Sequence, residues 1–255
     1  DFLLAKRAML MVCCLGKNTS LCGRLPVDLR LPMNAYSKYL EKLYRPSLEP
    51  DGRKGGGIYL DRNEPAFPAF QNIQEVFQEL DFGTILRTYP NPYRIYESIS
   101  DYYCSDLDSL LLTHGSEQGI RFIFDTFVDV GAQVVLPYPS FGLYEVFAYL
   151  RQAKIQRLDF DNRRVIEVSE IVESVKKDTQ LLVVANPNSP TGSAYSFQDI
   201  VALCDHALST DTLMLLDEAY YHFYSLDTLT LLSDYSNLVI SRSFSSESWV
   251  LPLYQ

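Results

Sequence analysis

The stretch that decides the reading is Thr212-Leu-Met-Leu-Leu-Asp-Glu-Ala-Tyr-Tyr-His-Phe-Tyr224. Thr212 to Leu216 is mostly apolar without alternation, which is the pattern of a strand covered on both faces. Directly at its carboxyl end stand an acid, Asp217, and a phenol, Tyr220. In open α/β sheets, ligands sit outside the carboxyl ends of the strands. A carboxylate held there, half out of water, is available to a cationic ligand group. The competing reading is that Asp217 caps a following helix, as Asp often does.

Upstream, the same rhythm repeats. Leu110 to Thr113 is predicted as a strand, followed by a turn at His114-Gly-Ser-Glu117 and a helix from near Ser116 with Ile120, Phe124, Phe127 and Val128 as its stripe. Val134 to Leu136 is a strand, then Pro137-Tyr-Pro-Ser-Phe-Gly142 and a helix to Leu150. Ile155 to Leu158 is a strand and Val168 to Val175 a helix. Leu181 to Ala185 is a strand, Asn186-Pro-Asn-Ser-Pro-Thr-Gly192 a turn, and about Ser196 to Ala207 a helix; Leu238 to Ile240 is the next strand. Strands alternating with helices imply an α/β fold with a mainly parallel sheet flanked by helices.

Farther toward the N-terminus the pattern is looser. Ile73 to Leu80 reads as a helix, and Thr88-Tyr-Pro-Asn-Pro-Tyr93 as a turn whose prolines exclude regular structure. Ile58 to Asn63 reads as a short strand, Pro46 to Gly57 as a flexible linker and Tyr36 to Tyr44 as a surface helix. Residues 1–57 are therefore expected to be an N-terminal arm and linker.

The 255 residues are 47% hydrophobic and 21% charged, as in an ordinary globular protein. A net charge of −10 without a basic cluster argues against a nucleic-acid partner. No apolar run reaches membrane-spanning length, so a membrane partner is not expected. The chain opens without an initiator Met and without the basic-then-apolar order of a signal peptide. The five cysteines are odd in number and match no zinc spacing, so they read as reduced thiols of a cytoplasmic protein. A metal site at Cys13, Cys14 and Cys22 is the alternative.

The strand ends carry the chemistry. Gly115, Ser116 and Glu117 open a helix, whose free amides and dipole suit a phosphate, although Ser at such a place is also an ordinary cap. Phe141 offers a flat face for stacking, or a core contact. The two Asn and two Pro of Asn186 to Pro190 fix a turn from which side-chain amides are expected to project. Asp217 and Tyr220 come next, and Ser243 and Ser245 supply hydroxyls after Leu238 to Ile240. A ligand satisfying all of these is flat and anionic at one end, with a cationic ring nitrogen for Asp217 and an oxygen for an amide and a phenol. Pyridoxal phosphate has that constitution.

Gly115-Ser-Glu, Pro139-Ser-Phe-Gly-Leu-Tyr144, Asn186-Pro-Asn-Ser-Pro-Thr-Gly192, Asp217-Glu-Ala-Tyr220 and Arg242-Ser-Phe-Ser245 together resemble, in order and spacing, the motifs of class I/II pyridoxal-phosphate-dependent aminotransferases, and within them the histidinol-phosphate aminotransferase branch. The likeness runs from about Ile58 to Ser245, so residues 58–246 are expected to be the aminotransferase large domain, of the fold known as type I. The resemblance implies that Gly115, Ser116, Glu117, Ser243 and Ser245 hold the cofactor phosphate and that Phe141 stacks on the ring. It implies that Asn188 and Tyr220 meet the cofactor's phenolic oxygen and that Asp217 pairs with its ring nitrogen, making the ring an electron sink. Tyr89 matches a tyrosine that reaches a phosphate in the neighbouring subunit, which implies a homodimer. The implied substrates are an amino acid or amino-alcohol phosphate and a 2-oxo acid.

One departure stands out. The family pattern Ser-Phe-Ser-Lys reads Ser243-Phe244-Ser245-Ser246 here, and no lysine follows Lys177. The lysine that carries the cofactor covalently and moves the proton is thus replaced by Ser246, and the expectation is a chain inactive as written. The family's C-terminal small domain is expected to be missing. Residues 247–255 are atypical: restoring a single nucleotide near Trp249 turns Trp-Val-Leu-Pro toward the family's Trp-Gly-Leu-Ala, so a frameshift is suspected. The alternatives are a non-catalytic remnant or dimer partner, and a related decarboxylase.

Overall fold

The computed structural model describes residues 77–244. The arm and linker, the helix at Tyr36 to Tyr44, the strand at Ile58 to Asn63, Cys13, Cys14, Cys22, Ser245, Ser246 and the tail lie outside them. The helix expected to end near Leu80 is visible only as residues 77–79.

Five strands form one parallel sheet: β1 (Gln133–Tyr138), β2 (Lys154–Asp159), β3 (Thr179–Ala185), β4 (Leu213–Glu218) and β5 (Leu238–Arg242). Their order is β2-β1-β3-β4-β5, with every neighbouring pair parallel. The chain runs outward from β1 to β2 and then returns to β1's other side with β3. This reversal of direction between β1 and β3 is a switch point of the kind that opens a crevice above the carboxyl ends.

Six α-helices lie wholly within the described residues: α1 (Phe82–Ile85), α2 (Tyr93–Tyr103), α3 (Ser116–Phe127), α4 (Leu143–Leu150), α5 (Val168–Ser174) and α6 (Phe197–Ser209). They explain why the strands lack alternation. Val134, Leu136, Leu181, Val183 and Leu215 pack with Ile120, Ile123 and Phe124 of α3 and Tyr144, Phe147 and Ala148 of α4. The alternate residues Val135, Leu182, Val184, Met214 and Leu216 pack with Ile171 of α5 and Ile200, Leu203, Cys204 and Ala207 of α6. Both faces of each central strand are therefore apolar, and each fully buried Leu, Ile or Phe contributes about 1.5–3 kcal/mol. Helix α6 begins at a capping box, in which Ser196 Oγ accepts from the Asp199 amide and the Asp199 carboxylate accepts from the Ser196 amide.

One expectation of the fold fails. Leu110 to Thr113 forms no strand; the Leu112 amide donates to the Tyr96 hydroxyl at 3.1 Å instead of to a neighbouring strand, and Leu111 lies exposed. The irregular turn expected from Thr88 is present as far as Pro92, and helix α2, which no sequence pattern announced, begins directly after it. Pro92 occupies its N-cap, and it buries only Ile99. It ends on Cys104 in the left-handed region, a place usually marked by Gly or Asn.

Candidate functional site

A cavity of about 350 Å³ opens at the carboxyl end of the sheet. That volume is within the roughly 300–1,000 Å³ typical of small-molecule sites. Its wall brings together residues from four segments, His114 to Glu117, Ser140 to Tyr144, Ala185 to Ser189, and Asp217 to Tyr220, with Ser243 beyond β5.

Asp217 forms the buried wall. It is 5% exposed, not half out of water, because Ala185 and Ser241 flank it in the sheet and α4 covers it. It caps no helix side-chain fashion: the short helical turn Tyr221–Phe223 has no side-chain cap. Instead its Oδ1 accepts from the Ala219 amide at 3.0 Å, and its Oδ2 accepts from the Tyr144 hydroxyl. Burial pushes the Asp217 carboxyl above the ordinary carboxylate range, while those two donors pull it back down. Both donors are neutral. Among the described residues no cation pairs with Asp217; its chain neighbour Glu218 takes Arg242 at 2.8 Å.

At the opposite wall, Gly115 precedes α3 with φ of +81°, a conformation that Gly adopts freely. Ser116 is the first helical residue and not a cap, since Gly115 holds the N-cap position without a side-chain bond. The amides of this first turn and the helix dipole give the cavity a positive end. A Cβ at Gly119 would lie 3.3 Å from Thr113 Oγ1, so the threonine side chain would have to give by a few tenths of an ångström to admit it.

Phe141 is 40% exposed and lines the cavity, so it is not a core residue; its ring meets Tyr144 edge-on at 5.5 Å. Tyr220 and Ser243 also line the cavity. The expectation for the asparagines changes. Asn186 Oδ1 accepts from the Tyr195 amide at 2.7 Å. Asn188 is buried: its Nδ2 donates to Pro139 O and Thr191 Oγ1 at 3.1 and 2.8 Å, and its Oδ1 accepts from Ser140 Oγ at 2.5 Å. The amides that were expected to project thus pin loops to each other, because buried polar groups must be satisfied. Pro187 and Ser189 line the cavity in their place. Tyr89 is fully exposed and is not part of this wall.

Sequence reasoning missed Tyr144, His114, Ser140 and Ser189. Tyr144 carried a signal: it shares the helical stripe with Phe147 and Ala148, and a phenol in such a stripe must find a polar partner. The described lysines are Lys154, Lys176 and Lys177, and none lines the cavity. Among the described residues there is no cluster of His, Cys, Asp and Glu suited to a metal ion, and no helix is long and apolar enough to cross a membrane. Cys104 and Cys204 are both unpaired thiols, and burial raises Cys204 to about 11.

A family model described as aminotransferase class I and II matches residues 56–247. The histidinol-phosphate aminotransferase of Chlorobium phaeovibrioides is 30% identical over 199 residues, 76% of this chain and 54% of that protein. That of Methanothermobacter thermautotrophicus is 31% identical over 193 residues, 74% and 50% of the two chains. The chain thus spans about half the length of the curated relatives it matches. Among solved structures, the histidinol-phosphate aminotransferase from Clostridium acetobutylicum superposes with a TM-score of 0.58 at 21% identity, over 70% of this chain and 52% of that one. A tetra mutant of Thermus thermophilus aspartate aminotransferase gives 0.62 at 18%, over 72% and 54%. These two likenesses speak for the fold, a parallel sheet flanked by helices.

Proposed function

Because the chain belongs to the class I and II aminotransferase family, we propose that its cavity is the pyridoxal-phosphate site of an aminotransferase large domain. The transfer would run between an amino acid or amino-alcohol phosphate and a 2-oxo acid, in a cytoplasmic homodimer. The observation that carries the reading is Asp217, a buried carboxylate in a cavity wall, with neutral donors and, among the described residues, no cation. An ionised group in that setting is costly unless a ligand supplies the counter-charge.

The remaining wall suits the rest of such a ligand. The amides of Gly115, Ser116 and Glu117 at the start of α3 would take the phosphate, joined by Ser243 and Ser245. Phe141 would cover the ring face, and Tyr220 would donate to the phenolic oxygen. Asn188 would reach that oxygen by giving up one of its present partners. When bound, the cofactor supplies an electron sink for the substrate's α-carbon. Asp217 would keep the ring nitrogen protonated, a charge-assisted bond of about 1.5–3 kcal/mol. Tyr89, exposed on one protomer, would serve the site of its partner.

What the chain would not do as written is move the proton. That group must lie within hydrogen-bond reach of donor and acceptor atoms, and a serine at position 246 is short and is not a base near neutral pH. This favours a second reading, a chain that binds the cofactor without a covalent link. The test is to add pyridoxal phosphate, reduce with borohydride, digest and map the product. The chain as it stands should give no adduct at a defined lysine, and Ser246→Lys should give one at position 246. A single defined adduct in the unmodified chain, or glutamate formation from 2-oxoglutarate at a robust rate, contradicts this second reading, while absence of any cofactor binding contradicts the first.

A further inference from the structure

We infer that Tyr144 is a positioning residue for this site: its buried hydroxyl holds the Asp217 carboxylate in the cavity wall and favours its ionised form. The inference rests on the cofactor reading above for its purpose, but its geometry stands alone. Tyr144 comes from α4, is 2% exposed, and donates to Asp217 Oδ2 across 73 positions of sequence. A phenol has one proton to give, so the direction of the bond follows from the acid's being the acceptor. Burial keeps Tyr144 protonated well above its ordinary range, and the nearby Asp217 charge adds to that.

The same burial drives Asp217 toward its neutral form, in which it offers no charge to a cationic ligand. Two donors oppose this. The Ala219 amide is fixed by the backbone, so the phenol is the side chain on which the balance turns. Of the other groups near the pair, Glu218 is held by Arg242 and Thr228, and the charge of Tyr220 adds to keeping Tyr144 protonated. The Tyr144 ring also packs in the core beside Phe147 and edge-on to Phe141, so stability alone would not separate a role in packing from one in positioning.

The experiment uses the ligand-free 255-residue chain with ¹³C-labelled aspartate carboxyl carbons, the Asp217 resonance being identified by its loss in Asp217→Asn. Tyr144→Phe keeps the ring and removes the donor. The Asp217 titration midpoint should rise by about one to two pH units, roughly 10- to 100-fold in proton affinity. An unchanged midpoint overturns the inference. Should Tyr144→Phe fail to fold, difluorotyrosine placed at position 144 is the second probe. As a stronger donor it should lower the midpoint, and no shift overturns the inference equally. With [¹⁵N]pyridoxal phosphate added, the ring-nitrogen signal should move from protonated toward neutral in Tyr144→Phe, and Tyr144→Phe should add nothing in an Asp217→Asn background. An additive second shift there would mean that Tyr144 does not act through Asp217. Failure of the unmodified chain to bind the cofactor would contradict the functional reading, while the carboxyl titration still judges Tyr144.

Discussion

Asp217 and Glu218 are consecutive at the end of β4, yet their carboxylates serve opposite faces of the sheet. Asp217 follows the parity of Leu215 and meets Tyr144 of α4, while Glu218 follows Leu216 and meets Arg242 of β5 and Thr228. Strand alternation thus separates one acid that meets no cation among the described residues from one paired internally. Arg242 is further sandwiched, 3.6 Å from the Tyr221 ring centroid and 5.0 Å from that of Tyr103.

Arg242→Met should destabilise the chain by about 3–5 kcal/mol, because it leaves Glu218 buried and unpaired. Glu218→Met combined with Arg242→Met should recover most of that loss. Urea unfolding of the single and double variants checks this; a single-variant loss below about 1 kcal/mol contradicts the pairing.

Stability of the ligand-free chain should fall as pH rises above the ordinary carboxylate value, partly through Asp217. Its folded pKa is raised from 3.8, so the folded state binds the proton more tightly than the unfolded chain does. The contribution is fully present below 3.8 and is lost as pH rises through the folded value. Asp217→Asn should flatten this part of the pH profile, as read by thermal melts at constant ionic strength. An unaltered slope would show that Asp217 titrates normally.

Asn188→Ala should cost about 1–3 kcal/mol, since it strips the Pro139 carbonyl and the Ser140 and Thr191 hydroxyls of a buried partner. The change should also loosen the Phe141 loop, seen as faster amide exchange there. Unchanged stability and exchange would return Asn188 to the projecting role that the sequence suggested.

The sheet was legible because its strands are covered twice: runs such as Leu181 to Ala185 and Thr212 to Leu216 announce themselves; the observed β3 begins two residues earlier, and β4 starts one residue later and ends two later than these runs. The start expected for α6, about Ser196, is its N-cap, where a capping box fixes it. Helix α2 was hidden because it buries a single residue and ends on Cys104 with no glycine. Leu110 to Thr113 misled because an apolar run has a strand's look whether or not a partner strand lies beside it. In the site, strand-end residues were legible as a group. Partnerships across loops, Tyr144 with Asp217 and Ser140 with Asn188, were not, since no local pattern records a bond between positions so far apart.

The central claim is that this cavity takes pyridoxal phosphate through Asp217, and its most direct test is a titration of the cofactor into the unmodified chain and into Asp217→Asn, followed by equilibrium dialysis. Saturable binding at one site per chain, weakened about 10-fold or more by Asp217→Asn, is the predicted result. Absence of saturable binding, or equal affinity in the two chains, would contradict it.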